Sequence, residues 1–209
     1  MAAIQALNPH TQMTGGILAG GEGLRMGGVD KGLVLFKGQP LVRHVLAALA
    51  PQAGECLISA NRHIEAYESF GVRVLRDAAG QGPLAGLAAL LAAARSDWLL
   101  CVPCDAPYLP PDLGAMLHHA ASAAPAPAAF LHDGVQAHPT FCLVQTRLAR
   151  VAATGALCGQ GLHGWLCEQG AVPVRAGAPP NINTLDELAA HERASSPSPS
   201  AASPQRHAR

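Results

Sequence analysis

Ile17-Leu-Ala-Gly-Gly-Glu-Gly-Leu-Arg-Met-Gly-Gly-Val-Asp-Lys-Gly32 is the stretch on which the fold is decided. From Leu18 to Gly32 it carries six glycines, one arginine and one lysine, directly behind the apolar pair Ile17-Leu18. Glycine admits positive φ and lets bare backbone approach a ligand. A loop of this composition after a buried strand presents N–H groups that can cradle phosphate. Arg25 and Lys31 bring the positive charge that such an anion needs. A mobile surface turn is the plain alternative, but a turn has no need of both cations. Two familiar phosphate loops fail in detail. In G-x-G-x-x-G, Gly21 and Gly23 fit but Met26 stands third; in the Walker pattern, Gly23 and Gly28 fit but Val29 stands where lysine is required.

Around this loop the chain alternates strands and helices. Ile17-Leu18 begins a strand. Residues 40–50 read as a helix with Pro40 in its first turn. Residues 56–59 and 72–75 read as short strands, and 84–95 as an Ala/Leu-rich helix, apolar on most sides and therefore buried. Residues 98–102 form a continuous apolar run, as in a parallel strand covered on both faces. Pro111-Asp112 opens a further helix. Strands are expected near 128–131 and 140–144, each followed by a helical stretch. Thr184-Leu-Asp-Glu187 is a capping box opening a last helix. This alternation predicts an α/β three-layer sandwich around a mostly parallel, Rossmann-like sheet. Ligands gather beyond the carboxyl ends of such strands, where both the glycine loop and the Cys-Asp segment after Val102 would lie. The expected organisation is a flexible leader over 1–14, one domain over 15–194, and a disordered Ser/Pro-rich tail over 195–209.

Of the 209 residues, 49% are hydrophobic and 13% charged, with formal net charge zero. That suffices for a full core and is too neutral for a general nucleic-acid surface. The longest apolar stretch, 84–94, is too short for a bilayer, and the N-terminus has no signal-peptide pattern. A cytoplasmic protein that engages neither nucleic acid nor membrane is expected. The six cysteines are scattered and read as free buried thiols. Cys101-Val-Pro-Cys104 reads as packing, because Cys101 falls inside an apolar strand and no second pair completes a zinc site. His118, His119, His132 and His138 could bind metal, though solvated or satisfied histidines are commoner.

The pattern from Leu18 to Lys31 resembles the opening loop of nucleotidyltransferases. Its ending, Met26-Gly-Gly-Val-Asp-Lys-Gly32, closely resembles the molybdenum cofactor guanylyltransferases, the MobA family. Four further groups of residues agree in order: Ser59-Ala-Asn-Arg-His63; Gly82-Pro-Leu-Ala-Gly86; Pro103-Cys-Asp-Ala-Pro-Tyr-Leu-Pro110; and His138-Pro-Thr-Phe141 with Asn181-Ile-Asn-Thr184. The resemblance runs from about Gly15 to Glu192.

The resemblance implies a nucleotidyltransferase fold. It also implies transfer of GMP from GTP to molybdenum-molybdopterin with release of pyrophosphate. A molybdopterin cytidylyltransferase, or another transferase of the superfamily, is the alternative. Leu18-Ala-Gly-Gly21 and Gly82-Pro-Leu-Ala-Gly86 favour GTP over CTP. From sequence alone Asp105 reads equally as a turn residue before Pro107 or as a metal ligand. The resemblance tips it towards Mg²⁺. Catalysis is implied for Arg25, Lys31 and Asp105. GTP contacts are implied for Leu18, Ala19, Gly20, Gly21, Lys31, Ser59, Asn61, Asp77, Gly82, Pro83, Leu84 and Asp105, in the N-terminal half. Molybdopterin contacts are implied for His138, Pro139, Asn181 and Asn183, in the C-terminal half. Ser59 stands where the family often has asparagine, and a hydroxyl lacks the amide's reach. Partners implied are GTP, molybdenum-molybdopterin, and cofactor-biosynthesis proteins or molybdoenzyme chaperones. A monomer is expected.

Overall fold

Two adjacent glycines, Gly15 and Gly16, lie in the central strand and set how closely the helical layers approach it. The computed structural model describes residues 13–20, 29–77, 82–182 and 184–195. Strand β1 (Met13–Leu18) lies between β4 (Glu55–Ser59) and β6 (Trp98–Pro103), parallel to both. A Cβ on Gly15 would stand 2.9 Å from Leu49 of α1 (Leu41–Leu49). A Cβ on Gly16 would stand 3.0 Å from Leu90 of α3 (Pro83–Ala93), on the opposite face. The strand begins at Met13, earlier than the expected Ile17 and inside the expected leader. Thr14 explains part of this: it is fully buried, with its hydroxyl 3.2 Å from Glu55 and 3.1 Å from Ser96.

The remaining strands are β5 (Arg73–Leu75), β7 (Ala128–His132), β8 (Ala137–Gln145) and β9 (Val172–Arg175). The seven-stranded order is β5-β4-β1-β6-β8-β7-β9, and β8 alone runs against its neighbours. Side chains alternate cleanly across the sheet, as the two-residue strand period requires. Leu100, Val102, Leu143 and Leu131 face one core cluster; Leu99, Cys101, Cys142 and Phe130 face the other. The first cluster is closed by α1, α2 (Ile64–Glu68) and α4 (Leu113–Ala123). The second is closed by α3, α5 (Ala149–Leu157) and α6 (Leu162–Glu168). The result is the expected three-layer sandwich.

Three local readings are corrected. No helix follows β7. Instead Asp133 accepts backbone N–H bonds from Val135 (2.7 Å) and Gln136 (2.8 Å), turning the chain straight back into β8. Turn chemistry at Asp133-Gly134 prevails over the strand–helix rhythm. Pro40 belongs to a small hairpin, β2 (Leu35–Phe36) and β3 (Gln39–Pro40), whose turn residues Lys37 and Gly38 both have positive φ. The cysteines are not all buried: Cys158 and Cys167 are exposed. Cys101 and Cys104 pack into opposite clusters, which separates the two thiols of the Cys-x-x-Cys pair.

The last helix, α7 (Leu185–Ser195), opens with the predicted capping box. Thr184 N–H donates to Glu187 (3.2 Å), and Glu187 N–H donates to the Thr184 hydroxyl (3.1 Å). Ile182 and Leu188 pack with Phe36 and Leu41, fastening the C-terminal segment to the hairpin. Among the described residues no helix is long and apolar enough to cross a membrane.

Because both helical layers touch β1 at its glycines, Gly15→Val should overpack the core. The expected loss is about 1–3 kcal/mol, read by chemical denaturation.

Candidate active site

Strand order reverses direction at β1, with β4 on one side and β6 on the other. In open α/β sheets the crevice beyond the carboxyl ends at such a point receives the ligand. Here that edge is stitched past the strands themselves: Cys104 N–H donates to Leu18 C=O (3.1 Å), and Ala19 N–H to Ser59 C=O (2.8 Å). Two groups of predicted residues meet there.

The first centres on Asp105, just after β6 and 7% exposed. Its backbone carbonyl accepts the Ile182 N–H at 2.8 Å, so the C-terminal segment that carries Asn181 is tied to it. Its carboxylate Oδ2 accepts from Lys31 Nζ at 3.2 Å. The other oxygen, Oδ1, is buried and has no hydrogen-bond donor among the described residues. An ionised buried oxygen of this kind needs an electropositive partner. A divalent cation, which favours hard carboxylate oxygen, fits the position. Burial raises the Asp105 pKa above the ordinary aspartate value; the Lys31 ammonium opposes the rise and the Glu187 carboxylate on α7 adds to it. The folded chain therefore binds this proton more tightly than the unfolded chain does. That favours folding at low pH, and the contribution is lost as pH climbs through the folded value. Burial thus makes the charged form of this carboxylate the costly one for the fold.

Lys31 is placed from below. Asp30, 6% exposed, accepts a 2.5 Å hydrogen bond from the hydroxyl of Tyr67 on α2. Burial, more than any other cause, pushes that phenol well above its usual pKa, so it remains a donor. At Gly32 any Cβ would collide with the Tyr67 hydroxyl. The triplet Asp30-Lys31-Gly32 thus divides into anchor, cation and clearance. Sequence reasoning singled out Lys31 alone; the roles of Asp30, Gly32 and Tyr67 depend on a ring that is distant in the chain.

The second group centres on Asp77, after β5. Ser59 Oγ donates to Asp77 Oδ1 at 2.6 Å and Asn61 Nδ2 to Asp77 Oδ2 at 2.9 Å, while Asp77 N–H donates to Asn61 Oδ1 at 3.1 Å. Gly20 lies against this pair: a Cβ there would be 3.5 Å from Asn61 and 3.6 Å from Asp77. Gly86 on α3 is tighter, with a Cβ only 2.8 Å from both Ser59 Oγ and Leu18. Gly82, with φ of 79°, precedes Pro83 at the first position of α3. The Leu84 side chain is buried among core residues, which leaves its backbone as the part that can face a ligand. Gly86 was not predicted as a site residue.

His138 and Pro139 lie at the start of β8, which borders the Asp105 strand β6. A register shift sets Phe130 against Cys142 but Leu131 against His138, so Pro139 falls within a bulge. There its missing N–H costs no ladder bond. His138 Nε2 pairs with Asp133 at 2.8 Å. The Gln136 N–H, followed by His138, holds that carboxyl well below the usual range. The remaining predicted residues, Gly21, Arg25 and Asn183, lie outside the described residues.

With this geometry in view, similarity to known proteins is informative. The model of the MobA-like NTP transferase domain matches residues 15–172. The molybdenum cofactor guanylyltransferase of Pasteurella multocida is 45% identical, with 82% of this chain and 95% of that protein covered. That of Ralstonia pickettii is 43% identical, covering 86% and 96%. Among solved structures, molybdopterin-guanine dinucleotide biosynthesis protein A from Archaeoglobus fulgidus superposes with a TM-score of 0.73 at 21% identity, covering 87% of this chain and 98% of that one. CMP:2-keto-3-deoxy-manno-octonic acid synthetase complexed with CTP gives 0.70 at 14% identity, covering 88% and 98%. At these identities the structural likeness bears on fold alone. The match over most of the chain, the relatives above 40% identity and the shared sheet lead to one conclusion: the chain belongs to the MobA-like NTP transferase family.

Proposed function

We propose that this enzyme transfers GMP from GTP to molybdenum-molybdopterin and releases pyrophosphate. The observation that carries the reading is the meeting, at one sheet edge, of the part-buried Lys31–Asp105 pair with a carboxylate fixed by Ser59 and Asn61. The names of the curated relatives supply the acceptor.

The acceptor phosphate on molybdopterin is largely dianionic near neutral pH, since the second pKa of a phosphate monoester is about 6. It therefore needs no strong general base. One of its oxygens attacks the α-phosphorus of GTP, a P–O bond forms there, and the bond to the β-phosphate oxygen breaks with its electron pair leaving on pyrophosphate. What the chain supplies is alignment and charge. Lys31 neutralises charge on the transferred group and on the leaving pyrophosphate, and Arg25 shares that work. Asp105 is the residue that would hold Mg²⁺, which when bound supplies positive charge to the phosphates. Asp77, its rotamer locked by Ser59 and Asn61, accepts from donors on the nucleoside. Ser59 thus serves through Asp77 as well as by any contact of its own. Leu18 to Gly21 and Gly82 to Leu84 flank the base, and His138, Pro139, Asn181 and Asn183 receive the pterin.

Asp105→Asn should abolish turnover while leaving the thermal midpoint at pH 7 unchanged or raised, because it removes a buried charge held at a cost. Full turnover with Mg²⁺ present would exclude Asp105 as the metal residue. Pyrophosphate release with authentic molybdopterin should favour GTP over CTP, and a preference for CTP would replace this reading with a cytidylyltransferase. Gly86→Ala should push Ser59 away from Asp77 and weaken GTP binding about tenfold, the scale of one hydrogen bond to a charged group, read by titration calorimetry.

A further inference from the structure

Gly20 and Asp30 both rest on one short segment. Gly20 lies beside Asn61, and Asp30 is bonded to Tyr67. Asn61 also holds Asp77, so the residues 61–67 support the nucleoside side and the cation side of the site together. We propose that Tyr67 is a positioning residue for the transfer reaction, fixing through Asp30 where Lys31 stands against Asp105. This rests on the function proposed above.

Tyr67 is fully buried in the first core cluster. Packing alone would be served by phenylalanine, and a buried hydroxyl is costly unless it is bonded. Its bond to Asp30 is 2.5 Å long, as hydrogen bonds from a hydroxyl to a carboxylate are. Asp30 heads the single 3₁₀ turn Lys31–Leu33: Leu33 N–H donates to Asp30 C=O at 3.1 Å and Val34 N–H to Lys31 C=O at 3.2 Å. Any swing of Asp30 therefore carries Lys31 with it. Gly32 lets the Tyr67 hydroxyl come this close, since a Cβ there would strike it. Without the hydroxyl, the Asp30 side chain loses the bond that fixes it, and the turn that carries Lys31 to Asp105 loses its anchor.

The test is a double-mutant cycle on full-length protein, measured by transfer kinetics with GTP, molybdopterin and Mg²⁺. Tyr67→Phe should lower kcat/KM by about 10- to 100-fold, the usual scale for a misplaced catalytic group, with kcat taking the larger share. Asp30→Asn, whose amide oxygen still accepts the hydroxyl proton, should recover most of the rate that Asp30→Ala loses. In a Lys31→Ala background, Tyr67→Phe should bring no further loss. Equal losses in both backgrounds, or a wild-type rate for Tyr67→Phe, would overturn the proposal and leave Tyr67 a packing residue. If the wild-type enzyme uses CTP, the guanylyl reading fails and the same cycle is run with CTP. If it transfers neither nucleotide, the cycle is read on the Kd for GTP with Mg²⁺: coupling between Tyr67 and Lys31 supports the proposal, and its absence overturns it.

Discussion

A carboxylate buried at the carboxyl edge of a parallel sheet must be balanced by something positive, and the arrangement around Asp105 follows from that constraint. Lys31 supplies one charge, from a turn that precedes the first small hairpin. The Ile182 N–H fixes the Asp105 backbone, which brings the C-terminal segment over the site. One oxygen is left buried without a donor, in the place where a substrate-bound cation would satisfy it. Such an arrangement is poor for stability, a trade that functional sites commonly make.

The supports of this pair come from separate parts of the chain, and each is short. Tyr67 on α2 holds Asp30; the hydrophobic contact of Ile182 and Leu188 with Phe36 and Leu41 holds α7; the capping box fixes where α7 starts. Around Asp77, glycines do the spacing. Gly86 lets α3 approach until it touches Ser59, and Ser59 in turn orients Asp77. Ser59 is therefore not an idle residue. It spends its one proton on the carboxylate beside it.

Much of this was legible in order along the chain. The apolar run 98–102, the Ala/Leu helix and the Thr184–Glu187 box were read correctly, because each is a local pattern whose meaning does not depend on what packs against it. The β7–β8 hairpin breaks the strand–helix rhythm because the four-residue turn at Asp133-Gly134 sends the chain straight back, a local signal that the rhythm overrides in the sequence. β1 starts at Met13 rather than at Ile17, and the glycines between them gain their meaning only from the two helices that press on them.

By itself the sequence determined the class of sheet and placed a cation at position 31 and an acid at position 105, because spacing and residue type are properties of a chain. Only the tertiary structure decided what holds them. Tyr67 beneath Gly32, Gly86 against Ser59, Leu84 turned into the core and Ile182 on the Asp105 carbonyl are contacts between segments far apart in sequence. Their signals are a missing side chain or one buried hydroxyl, and these acquire meaning only when the neighbour that needs them is in place.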